Sequence, residues 1–122
     1  MSHFLMIYID DNINFDSDAI KQAIHRMSNA ELSISKNKYS EGLIIYRLEE
    51  DEININIGED WRFLAIENST DTALDFAIQL NKVIDKNLSL TDSTYGFLCK
   101  LDEVHSLENL KKIIAKGIYM NE

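Results

Sequence analysis

The chain has 122 residues, 45% of them hydrophobic, with no proline and one cysteine, Cys99. That is one domain's worth of sequence, able to bury about two-thirds of its unfolded surface. It excludes an intramolecular disulfide framework, which fits a reducing cytoplasm, and a proline-rich linker or recognition motif. Twenty-one acidic against 12 basic residues, a net charge of −9, disfavours direct binding to nucleic acid or to an anionic membrane, since both need clustered Lys and Arg.

Phe4 to Ile9 is an apolar run of six residues, too short to cross a bilayer. It lacks a basic flank and a small-residue cleavage site, so it reads as a strand covered on both faces and not as a signal peptide. The turn-prone Asp10-Asp11-Asn12-Ile13-Asn14 follows. Asp16 then serves as an N-cap, and Ala19, Ile20, Ala23, Ile24 and Met27 recur at helical spacing, predicting a helix over about 16–28. Leu32 and Ile34 alternate with polar residues in a short strand, and Lys36 to Glu41 is a loop.

Strands near 43–48, 53–57 and 61–66, joined by Glu49 to Glu52 and by Gly58 to Asp60, form an antiparallel meander. Thr70 or Asp71 opens a second helix with the stripe Ala73, Leu74, Ala77, Leu80, Val83 and Ile84. Leu88 to Leu90 and about 95–101 are strands on either side of a turn near Asp92-Ser93. Ser106 caps a third helix with Leu107, Leu110, Ile113 and Ile114 inward and Gly117 as its stop. The order β-α-β-β-β-β-α-β-β-α predicts an α+β fold, a single domain over residues 1–122, with a mainly antiparallel sheet and its helices packed on one face.

Register sorts the meander's side chains. A turn at Glu50-Asp51 is taken to pair Leu48 with Ile53, and a three-residue loop pairs Ile57 with Trp61. One face then carries Ile44, Tyr46, Leu48, Ile53, Ile55, Ile57, Trp61 and Phe63, a core face. The other carries Leu43, Ile45, Arg47, Asn54, Asn56, Arg62, Leu64 and Ile66. That mixed face suits contact with a partner or a second copy of the chain, or cover by another part of the same chain. A one-residue change in the second loop exchanges Trp61 and Phe63 with Arg62 and Leu64.

Signals for chemistry are sparse. Cys99 shares a strand face with Phe97 and Leu101 and reads as a buried, inert thiol, with His105 past the strand end. His3, His25 and His105 have no metal-ligand spacing. Asp10, Asn12 and Asn14 match the first ligand positions of a calcium loop, but Phe15 stands where glycine must turn and Lys21 where a bidentate Glu belongs. An enzyme reading rests on Asp10 and Asp11 alone, at the end of an apolar strand. The expectation is no catalytic residue, no metal and no cofactor.

The acidic residues are uneven: 12 acids against 5 bases in residues 1–60, and 9 against 7 in residues 61–122. Glu49, Glu50, Asp51 and Glu52, then Glu59 and Asp60, occupy connections between strands; with Asp10 and Asp11 they are the candidate partner-binding residues. Carboxylates on stiff turns make charge-assisted hydrogen bonds to Arg and Lys and steer a basic partner. In length, acidity, α+β order, single cysteine and these acidic runs, the chain resembles the small acidic immunity proteins of bacterial contact-dependent or polymorphic toxin systems. That resemblance implies a cytoplasmic protein that binds one cognate toxin, commonly a nuclease with a basic cleft, and blocks it. It includes no signature motif, so it assigns no residue roles. From residue 16 onward the order is also similar to the small acidic homodimeric chaperones of type III secretion, which hold an effector's unfolded segment. Phe4 to Ile9 and one further strand depart from that pattern.

Overall fold

A computed structural model describes residues 4–10, 13–67, 70–84, 86–92, 97–104 and 106–116. Among these residues seven strands and three α-helices follow in the predicted order: β1 Phe4–Ile9, α1 Ser17–Arg26, β2 Ala30–Ile34, β3 Ser40–Leu48, β4 Asp51–Gly58, β5 Leu64–Glu67, α2 Asp71–Val83, β6 Leu88–Asp92, β7 Leu98–Lys100 and α3 Leu107–Lys116. One antiparallel sheet holds all seven strands in the spatial order β2-β3-β4-β5-β1-β6-β7.

The helix starts are set by polar caps. The Asp16 side chain accepts from the N–H of Asp18, Thr70 from that of Ala73, and Ser106 from that of Asn109. Each satisfies a donor that the first helical turn leaves without an intrahelical partner. Ile20, Ala23 and Ile24 of α1, Leu110 of α3 and most of α2 are buried. α2 packs on β3 and β4 and touches both α1 and α3, so the helices form one layer on one face of the sheet.

Under that layer, side chains line up in rows across the strands. One row runs Leu5, Ile66, Ile55, Ile44 and Leu32; the next runs Cys99, Leu90, Ile7, Leu64 and Ile57. All but Leu32 are almost fully buried, and each buried aliphatic side chain stabilises the fold by roughly 1.5–3 kcal/mol.

The register departs from expectation at two places. The first turn is Glu49-Glu50, so Leu48 pairs with Asp51 and Tyr46 with Ile53. A slip of two leaves every side chain on its expected face. The second connection is longer than three residues. Residues Glu59–Trp61 form a 3-10 turn, and Ile57 pairs with Leu64. Leu64 and Ile66 therefore enter the core at 0% exposure, while Phe63 lies on the opposite face, 6.1 Å ring to ring from Tyr8. The cause is local backbone: Asp60 (φ 57°) and Trp61 (φ 60°) both take the left-handed conformation that side chains other than glycine rarely adopt.

β1 also differs from the expectation of cover on both faces. It lies between β5 and β6, yet only alternate residues, Leu5, Ile7 and Ile9, are buried; Phe4, Met6 and Tyr8 are half-exposed on the face away from the helices. β3 begins earlier than expected, at Ser40, through a bulge between Ser40 and Gly42. At Gly42 a Cβ would stand 2.5 Å from the carbonyl oxygen of Ser33, so the absence of a side chain lets β2 and β3 approach there. The turn expected near Asp92-Ser93, the start of the strand expected at 95 and the stop at Gly117 lie, wholly or in part, outside the described residues.

Candidate functional site

The predicted acidic residues fall at two ends of the sheet. β4 is eight residues long, which separates its ends by about 23 Å at ~3.3 Å per residue. Glu49, Glu50, Asp51 and Glu52 sit at its start, Glu59 and Asp60 beyond its end. Because β1 is antiparallel to β5, and β5 to β4, the end of β1 brings Asp10 to the Glu59–Asp60 end. The eight residues expected to act together therefore do not share one surface; Asp11 lies outside the described residues.

At the Glu59–Asp60 end the polar groups are used to hold the turn. Glu41, the bulge residue and only 7% exposed, accepts from the Asp60 N–H at 2.9 Å, with Lys36 Nζ at 3.8 Å. Asn14 donates to the Asp60 carbonyl at 2.9 Å, and the Phe15 N–H to that of Trp61 at 2.7 Å. The Asp10 carboxylate accepts a hydrogen bond from Ser89 Oγ. The calcium-loop match is taken up in the same way: Asn14 points to a backbone carbonyl, and Phe15 is buried in the core. Among the described residues no group of three or more His, Cys, Asp or Glu is placed to hold a metal ion. Cys99 is buried, and burial, then the charges of Glu103 and Asp102, push its thiol up to about 11. That is the opposite of the activation a nucleophile needs.

The β3–β4 end has a different character. A cleft of about 460 Å³ is lined by Leu48, Glu49, Glu50, Asp51, Asp71, Thr72 and Leu107. It lies where the hairpin tip meets the start of α2 and of α3. Thr72 Oγ1 donates to Asp51 Oδ2 at 2.5 Å, fastening the tip to α2. Asp71 is paired with Lys111 at 3.4 Å. Glu49 and Glu50 are exposed, and among the described residues neither has an ion-pair partner. Glu49 takes φ 56° to close the turn.

Beside the tip, Arg47 bridges Glu31 (3.0 Å) and Glu52 (2.8 Å) across three strands. The Glu31 hydrogen bond, more than that of Glu52, raises the Arg47 pKa. The ladder is exposed, so it organises side chains more than it stabilises the fold. Behind it, Tyr46 donates to Asp75 Oδ2 at 2.5 Å and ties β3 to α2.

Sequence reasoning found the hairpin acids but missed Asp71, Thr72, Leu107 and Glu31. Asp71 carried a signal, as an acid in the first turn of a helix. Nothing local tells that this turn abuts a hairpin about twenty residues earlier. Comparison with protein-family models, curated proteins and solved structures gives no match.

Proposed function

We propose that this chain is an immunity-type protein that neutralises a cognate toxin domain in the cytoplasm by covering its basic functional surface, with a nuclease as the toxin class. The observation that carries the reading is the carboxylate-lined cleft at the β3–β4 tip. Its Leu48 and Leu107 walls suit the aliphatic stem of a Lys or Arg, and its four carboxylates suit the charged head. A surface that receives phosphates presents such side chains. The net charge of −9 adds long-range steering, which acts on association more than on dissociation.

The neighbouring reading frame is examined for a toxin-like domain, and the test is binding kinetics with that domain. Reversing Glu49 and Glu50 to Lys slows association about tenfold or more and weakens protection, and rising salt slows wild-type association. Neutralisation that is indifferent to both substitutions, together with an affinity that ignores ionic strength, sinks the reading.

The half-exposed Leu43 and Ile45 beside exposed Asn54 and Asn56 favour a second reading, an effector chaperone. It predicts capture of an unfolded apolar segment that persists at high salt, where the toxin complex weakens.

A further inference from the structure

We infer that two copies of this chain pair edge to edge through β2, antiparallel about a two-fold axis at Leu32, joining their sheets into one. The inference does not rest on the toxin reading.

β2 is an outer strand of the sheet, and among the described residues its free side lacks the usual protection. Its sequence, Ala-Glu-Leu-Ser-Ile, has neither proline nor lysine. Its one charge, Glu31, is engaged by Arg47 of the neighbouring strand. Exposed edges are normally blunted by such devices, because their unpaired N–H and C=O groups recruit another strand. Two of the three large hydrophobic residues most exposed among the described residues also lie here, Ile34 at 50% in β2 and Tyr39 at 73% in the following connection.

Backbone parity selects the register. The Arg47 N–H donates to the Asn29 carbonyl at 3.0 Å, one step beyond the Ala30–Tyr46 pair. In an antiparallel ladder alternate residues bond the same neighbour. Asn29, Glu31 and Ser33 therefore face β3, and Ala30, Leu32 and Ile34 turn their N–H and C=O groups outward. Pairing Leu32 with Leu32 of the copy sets Ala30 opposite Ile34 and brings these outward groups together. The Ala30 N–H is already given to Met27 O at 3.3 Å. Two bonds between the leucines, and one from each Ile34 to the opposing Ala30, remain, four in all.

Side chains agree with that register. Leu32 ends a core row that runs from Leu5 through Ile66, Ile55 and Ile44; opposite a second Leu32 the row continues into the copy. Ile34 falls opposite the small Ala30, beside a cleft of about 470 Å³ between α1 and β2 bounded in part by Ile24, Met27, Ala30 and Leu32. On the other face Glu31 lies opposite Ser33, so no like charges are set directly against each other. The edge is thus complementary to itself, and a second copy of this chain is the occupant that the sequence of β2 fits.

Sedimentation of the full chain across the micromolar range reads the dimer. Ser33 is exposed, so charging it leaves the monomer's packing intact. Ser33→Glu places a carboxylate against Glu31 of the copy, twice per dimer, and weakens dimerisation about tenfold; Ser33→Lys keeps it or tightens it. A chain that stays monomeric at every concentration overturns the inference. So does a dimer that ignores Ser33→Glu, or one that both substitutions weaken alike.

Discussion

Tyr46→Phe removes one oxygen from the junction of sheet and helix and leaves the rest of the packing in place. Tyr46 is 1% exposed, with its ring edge-on to Phe76 at 5.2 Å, a contact that phenylalanine keeps. The lost hydroxyl donates to Asp75 Oδ2 at 2.5 Å. A hydrogen bond to a charged group contributes about 1.5–3 kcal/mol. Asp75 is only half-buried and regains water, so the lower end, about 1.5 kcal/mol, is expected at pH 8.

The same hydroxyl makes stability depend on pH. Burial, and then the hydrogen bond to Asp75, push its pKa up from 10 to about 12. The unfolded chain therefore loses this proton first. The stability linked to Tyr46 is complete below pH 10 and is lost as pH rises towards 12, with an upper limit of about 2.7 kcal/mol for two pK units. The Cys99 thiol, raised from 9 to about 11, adds a slope of the same sign between pH 9 and 11 in both proteins. The difference between wild type and variant isolates the phenol. Urea unfolding followed by circular dichroism at pH 8, 10 and 11.5 measures it. Wild type and variant converge towards the top of the range. A variant within about 0.5 kcal/mol of wild type at pH 8, with an unchanged slope above pH 10, refutes the reasoning.

Other substitutions probe other joints. Gly42→Ala drives a Cβ to within 2.5 Å of the Ser33 carbonyl oxygen, and should cost about 1–3 kcal/mol, seen as a lower midpoint in calorimetry. Thr72→Val removes the donor to Asp51; the expected loss is about 1 kcal/mol, with faster amide exchange over residues 49–52. Cys99, at 0% exposure, should react with iodoacetamide only as fast as the protein opens, so that denaturant and not moderate alkalinity unmasks it.

Much of the fold was legible because each element carries its own period. Ile20, Ala23 and Ile24 mark a helix by spacing alone, and Ile53, Ile55 and Ile57 mark a strand by alternation. Caps at Asp16 and Ser106, and a start at Thr70 or Asp71, could be read because the Ncap position favours short polar side chains. What escaped depended on backbone states the residue types do not advertise. Asp60 and Trp61 enter the left-handed region without a glycine, and that turn put Leu64 inside and Phe63 outside. The candidate site was half legible for a similar reason. The acidic tip is a local feature, but Asp71, Thr72 and Leu107 reach it only through tertiary packing.

The position of β1 also bears on how the chain folds. The β3–β4 hairpin pairs residues as close as Leu48 and Asp51, so it can zip while the rest is unformed. β1 must wait. One of its neighbours is β6, where Ile9 meets Leu88, 79 positions further along. Contacts that distant close late, because the long intervening loop must be ordered first. While the chain beyond residue 70 is still inside the ribosome, β1 would lack one flank. A strand that leaves well ahead of its neighbour would be among the last secured.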